Sequence, residues 1–81
     1  MKVEFGKLNI LGPRWSGGSG FTPNKFSRPP VVICQLERLF EYRNDWALHI
    51  YPCNITKDGF QCNIEGHYKP GDQIHWIAVG N

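Results

Sequence analysis

One run near the end of the chain, Ile74-His75-Trp76-Ile77-Ala78-Val79-Gly80, constrains the fold more than any other stretch. Side chains alternate between faces along an extended strand. Ile74, Trp76 and Ala78 therefore share one side, and Ile77 and Val79 the other. Both sides are apolar. Such a strand needs a covering layer inside the domain, a second chain outside it, or both. Residues 31–40 begin in the same way: Val31 and Ile33 face one direction, Val32, Cys34 and Leu36 the opposite one. Leu36, Leu39 and Phe40 also carry helical spacing. β-Branched residues lead directly into the run, however, and no N-cap precedes it, so it is read as a strand.

The remaining segments read as short strands separated by turns. In Val3-Glu4-Phe5-Gly6-Lys7-Leu8-Asn9-Ile10 the apolar parity changes at Gly6, which predicts a bulge or bend there. Residues 11–20 hold four Gly, one Pro and two Ser and read as a loop. Residues 21–26 are a short extended piece that Pro23 restricts to an edge or a strand start. Residues 46–53 form a strand that presents Ala47, His49, Tyr51 and Cys53 on one face and Trp46, Leu48 and Ile50 on the other. Lys57-Asp58-Gly59 makes a hairpin turn, after which Phe60, Cys62 and Ile64 alternate with Gln61, Asn63 and Glu65. Short strands spaced by turn signals, with no convincing helix, predict a single all-β domain over residues 1–81, an antiparallel sandwich or small barrel.

At 81 residues the chain buries only about 60–65% of its unfolded surface, so outside support is expected. Cys34, Cys53 and Cys62 cannot all pair within one chain, and each lies in a predicted strand, where a free thiol fills apolar space. Cys53, Cys62, His67 and His75 form no tight ligand pair, so neither a metal nor a cofactor is implied. Oligomerisation is the remaining support. A net charge of +2 with scattered Lys and Arg argues against nucleic acid. No apolar run reaches the ~18 residues of a membrane span, and residues 1–6 lack the apolar core of a signal peptide. The chain is thus expected inside the cell, or as a module of a longer or secreted protein. Asn54-Ile55-Thr56 is a glycosylation sequon that reads more simply as turn residues. No catalytic spacing is present: there is no G-x-S-x-G, no H-E-x-x-H, and Gly17-Gly18-Ser19-Gly20 precedes neither a Lys nor a helix.

Three pieces in order, Phe26-x-Arg28-Pro29-Pro30-Val31-Val32, Asn54-Ile55-Thr56-x-x-Gly59-Phe60 and Trp76-Ile77-Ala78-x-Gly80, resemble the H-type lectin domain of snail agglutinins and discoidins. Gly6-Lys7-Leu8 followed by Trp15 is similar to the amino-terminal strand of the snail agglutinins. The resemblance implies a six-stranded antiparallel β-sandwich that assembles as a homotrimer. It also implies binding of galactose-type or N-acetylgalactosamine-type glycans between protomers, without catalysis, as in cell adhesion. Matching the family's cleft onto this sequence puts Trp15 and Ser16 in the first loop and Asp45 before the middle strand. His67 and Tyr68 fall in the loop before the last strand, with Asp72 at its end. Ala47 stands where the family carries an Arg, and the first and last loops are shorter than in the snail proteins.

Each of these residues has a second reading. Trp15 is either a stacking platform or a lid on the sandwich end. Asp45 and Asp72 either hold hydroxyls or close turns, and His67 and Tyr68 either wall the cleft or are solvated. Trp46 and Trp76 are assigned to core or interface, and His49 and His75 to a subunit axis that loosens on titration. Sugar binding is the leading expectation. A trimerising module of the same fold without a sugar site is the alternative.

Overall fold

The computed structural model describes residues 1–10, 16–37, 49–65 and 71–81. They form six strands: β1 (Lys2–Asn9), β2 (Ser16–Gly20), β3 (Val31–Glu37), β4 (His49–Cys53), β5 (Gly59–Glu65) and β6 (Gln73–Gly80). The strands make two antiparallel sheets of three, β1-β6-β3 and β2-β5-β4. The two layers face each other across one core, as a sandwich requires. No helix among the described residues is long and apolar enough to cross a membrane.

The two-faced strand β6 occupies the centre of its sheet. Its inner residues Ile74, Trp76 and Ala78 are buried, whereas Ile77 points outward. Four aromatic rings fill the space between the layers. Phe60 meets Trp76 edge-on at 5.1 Å, and Phe21 stacks on Phe60 at 5.7 Å and meets Phe26 edge-on at 5.1 Å. Burying each ring contributes roughly 1.5–3 kcal/mol, and the edge contacts add about 0.5–1.5 kcal/mol each.

The source of Phe21 and Phe26 differs from expectation. Residues 21–26 are a turn rather than an extended piece: Lys25 N–H donates to the Thr22 carbonyl at 3.1 Å, and Asn24 takes φ 62°. The turn folds both rings into the core. Its backbone is tied to β1, because Thr22 N–H donates to the Glu4 carboxylate at 3.0 and 3.1 Å.

Two further expectations are corrected. β1 pairs with β6 in unbroken register from Lys2↔Gly80 to Asn9↔Gln73, so Gly6 marks no bulge. The parity change has another cause. Val3 and Phe5 lie on the outer face, whereas Leu8 packs inward and Ile10 is buried. Gly6 faces the Trp76 indole, and a Cβ there would lie 2.8 Å from Trp76 Cζ2. Residues 16–20, expected in a loop, form β2 against β5. The strand forms because it lacks side chains. A Cβ on Gly18 would fall 2.1 Å from the Phe60 carbonyl oxygen, so only glycine permits this pairing.

Small substitutions at these two glycines should therefore cost stability. Gly6→Ala overpacks the Trp76 ring and is expected to lower unfolding free energy by about 1–3 kcal/mol in urea titration. Gly18→Ala should cost at least as much, because its clash is with backbone rather than a movable ring. A midpoint unchanged in both variants would contradict this packing.

Candidate functional site

The strand ends that flank the predicted site segments lie at one end of the sandwich. β1 and β3 end at Asn9 and Glu37, both paired with Gln73 at the start of β6. In the other sheet β2 begins at Ser16 opposite Asn63, and β4 begins at His49 opposite Glu65, the last residue of β5. The connections β1–β2, β3–β4 and β5–β6 thus all join the two sheets at this end. They carry Trp15, Asp45, His67 and Tyr68, which themselves lie outside the described residues, as does Trp46. The opposite end holds residues 21–30, the β4–β5 turn and both termini. There Ser27 N–H donates to the Asn81 carbonyl at 2.7 Å and Phe21 N–H to the Asp58 carbonyl at 2.8 Å.

Asp72 sits just before β6 with its side chain wholly out of solvent. Its carbonyl accepts Ile10 N–H at 3.0 Å, and Gly71 N–H donates to the Ile10 carbonyl at 3.1 Å. This two-way bond fastens the chain leaving β1 to the chain entering β6. It fixes where two of the three connections depart.

Ser16 is exposed and opens a shallow surface cavity of about 320 Å³, lined also by Gly17, Gly18, Gln61 and Asn63. The cavity lies beside the edge strand because β2 carries no side chain larger than Ser. Gln61 and Asn63 are two residues apart on β5, so their amides stand about 7 Å apart on the outer face of the sheet. Each is held by a neighbour: Asn54 Nδ2 donates to Gln61 Oε1, and Asn63 Nδ2 reaches Cys53 Sγ at 3.5 Å. Tyr51 completes the Ser16–Asn63 rung and donates its hydroxyl to Glu65 at 3.2 Å. Planar carboxamides in fixed orientation offer donors and acceptors side by side, the groups that ring hydroxyls match. In the sequence Gln61 and Asn63 stand out only as the polar half of an alternating strand. Two amides at i and i+2, opposite a glycine-rich strand, are the signal that could have found them.

The same end of the other sheet is also polar. On its outer face Lys7, His75 and Gln35 share one rung, and Asn9, Gln73 and Glu37 the next. Gln73 Nε2 donates to Asn9 Oδ1 at 3.0 Å, and His75 Nε2 pairs with the Glu37 carboxylate. A second cavity of about 280 Å³ is lined by Gln35, Leu36, Glu37 and His75. His49 and His75 lie on outer faces of opposite sheets, so the expected meeting of both at one axis is corrected. The hydrogen bond from His75, with its charge, holds the Glu37 carboxyl below its ordinary value of 4.5.

Cys34, Cys53 and Cys62 are free; Cys62 is fully buried and Cys34 packs against the core, whereas Cys53 lies on the Gln61 side of β4 and so does not fill core space as expected. Among the described residues no cluster of His, Cys, Asp and Glu is arranged to hold a metal ion.

A two-layer sandwich of six short antiparallel strands, with polar rungs at the end where its three inter-sheet connections depart, defines a small all-β sandwich domain. The sequence profile of the H-type lectin domain matches residues 21–79, from the aromatic turn through nearly all of β6. The chain belongs to the H-type lectin domain family, a family of carbohydrate-binding lectins. Comparison with curated proteins and with solved structures gives no match.

The Glu37–His75 pair carries a titration signature. A carboxyl whose value is depressed on folding adds stability above its unfolded value, and that gain is lost as pH falls through the lowered value. In His75→Ala the Glu37 midpoint should rise toward 4.5 when followed by carboxyl carbon NMR. An unmoved midpoint would mean that the pair does not form in solution.

Proposed function

We propose that this protein is a non-catalytic lectin that binds galactose-type or N-acetylgalactosamine-type glycans as a homotrimer, with the sugar held between protomers. Membership in the family supports glycan binding. The observation that carries the assembly is the outer face of the β1-β6-β3 sheet. Away from the connections its rungs are Val3–Val79–Val31 and Phe5–Ile77–Ile33. Phe5 is 78% exposed, Val31 68% and Ile33 60%. Six adjoining apolar side chains on one flat face are a surface that sister subunits cover. The polar rungs through His75 and Gln73 then lie where that interface meets the connection end.

Within each cleft Asp45 accepts sugar hydroxyls, and His67 and Tyr68 form a polar-aromatic wall. Trp15 and Ser16 approach from the first connection. Asp72, enclosed at the foot of β6, serves the cleft by fixing the third connection. A fixed carboxylate holds adjacent hydroxyls by charge-assisted bonds, and an aromatic ring takes the apolar face of the sugar. Three shallow sites on one assembly raise a weak single affinity through effective concentration. The second reading, a trimerising module that has lost its sugar, is favoured by Ala47 at the family's Arg position.

A glycan array separates the two. Binding to glycans ending in galactose or N-acetylgalactosamine, blocked by the free sugar, is the expected result. Asp45→Asn should weaken it about ten-fold or more, as loss of a charged hydrogen bond does. An array blank at high concentration of folded, assembled protein would rule out the lectin reading and favour the structural module.

A further inference from the structure

The outer face of the β2-β5-β4 sheet looks away from the apolar outer face of the other sheet. An assembly made through that apolar face leaves it open to solvent. Two successive rungs lie side by side on it, Gly18–Gln61–Cys53 and Ser16–Asn63–Tyr51. The cavity of about 320 Å³ runs from Ser16, at the connection end, to Gly18 and Gln61. That volume stands at the lower end of the ~300–1,000 Å³ of small-molecule sites, a size for a mono- or disaccharide. No Lys, Arg, Asp or Glu is among its described lining residues, so a charged ligand would find no charge of opposite sign there.

The neutral groups that line the cavity are complementary to hydroxyls. Asn54 engages Gln61 Oε1, which leaves the Gln61 NH2 to donate. Cys53 engages the Asn63 NH2, which leaves Asn63 Oδ1 to accept. The Ser16 hydroxyl can do both. Those contacts orient the two amides before a ligand arrives, so binding costs little side-chain freedom. β2 contributes backbone as well. Its one partner among the described strands is β5, so alternate N–H and C=O groups on its other side point out of the sheet. Tyr51 stands beyond Asn63, 39% exposed and with its hydroxyl bonded to Glu65, and its ring supplies apolar surface.

We propose that this sheet face is a second carbohydrate site, complete within one protomer, that takes a neutral mono- or disaccharide through Gln61, Asn63 and Ser16 with the Tyr51 ring beside it. The Gln61 NH2 donates to one hydroxyl oxygen, and Asn63 Oδ1 accepts from another hydroxyl. Two residues of extended strand separate the amides by about 7 Å, so they reach across a sugar ring rather than clasp adjacent hydroxyls. Carbohydrate as the ligand follows from the family and from these groups; neither the cleft between protomers nor the assembly enters. Ser16 alone is common to both sites.

The side-chain amide signals of Gln61 and Asn63 report on the site directly. Nitrogen-15-labelled full chain, wild type and Asp45→Asn, is titrated with lactose, maltose and chitobiose, and with glycerol as a control. At least one disaccharide should move both amide signals along a saturable curve, with an affinity of about 1 mM, as a few hydrogen bonds at an open site supply. The curve should be the same in Asp45→Asn, in which the cleft is weakened. Gln61→Ala and Asn63→Ala should each weaken binding about five-fold, the worth of one hydrogen bond. Amide signals in folded wild type that stay still with all three sugars, or drift without saturation as they do with glycerol, would overturn the proposal. Shifts that vanish in Asp45→Asn would overturn it too, because they would belong to the cleft. A blank glycan array would remove the cleft and leave this result standing, so the two readings fail separately.

Discussion

The central strand β6 is apolar on both faces, and the rest of the structure is arranged around it. Inside, Trp76 supplies the largest surface, and the chain around it is shaped to receive it. β1 presents a glycine at the position paired with Trp76, which leaves the indole the space that a Cβ there would take. Phe21 and Phe60 close over the other side of the ring. The indole N–H finds no acceptor among the described residues, so burial and ring contacts alone hold it there. Outside, Ile77 and Val79 continue into Val3, Phe5, Val31 and Ile33 across the sheet. A chain of this size cannot spare six apolar side chains from its own core without a compensating gain elsewhere.

Division of labour along the strands follows from the same geometry. At one end the outer face of the β1-β6-β3 sheet is apolar; at the other it turns polar through Lys7, His75, Glu37, Gln73 and Asn9. The three inter-sheet connections emerge at the polar end. The opposing sheet has its own polar outer face, built on Gln61, Asn63 and Tyr51 beside the bare backbone of β2. One end of a rigid framework therefore carries the groups able to bond a polar ligand, while the framework stays tied at its far end.

Much of the fold is legible in the sequence because alternation encodes it. The two faces of β6 and the start of β3 can be read directly, since apolar side chains on successive residues of a short β-branched run mark a strand that is apolar on both sides. Composition misleads where backbone contact decides. Ser16–Gly20 has no apolar pattern, and its strand forms because glycine lets its backbone approach β5. Gly6 suggests a bulge because parity changes there, but a change of parity also results when one strand carries its apolar side chains on the outer face first and on the inner face later. Phe21 and Phe26 are separated by Pro23 in the sequence, and only the turn at Asn24 reveals that they share the core. Of the site, the sequence indicates segments rather than a surface. Antiparallel pairing puts the strand ends flanking all three segments at one end, whereas the amides of Gln61 and Asn63 draw their meaning from strands distant in the chain.

Sister chains must cover Val3, Phe5, Val31, Ile33, Ile77 and Val79 if the clefts between protomers are to exist at all. Sedimentation equilibrium of the wild-type protein at micromolar concentration tests this most directly. The predicted result is a single species of three times the 9.3 kDa chain mass, stable on dilution. A well-folded species of one chain mass at the same concentration would contradict it.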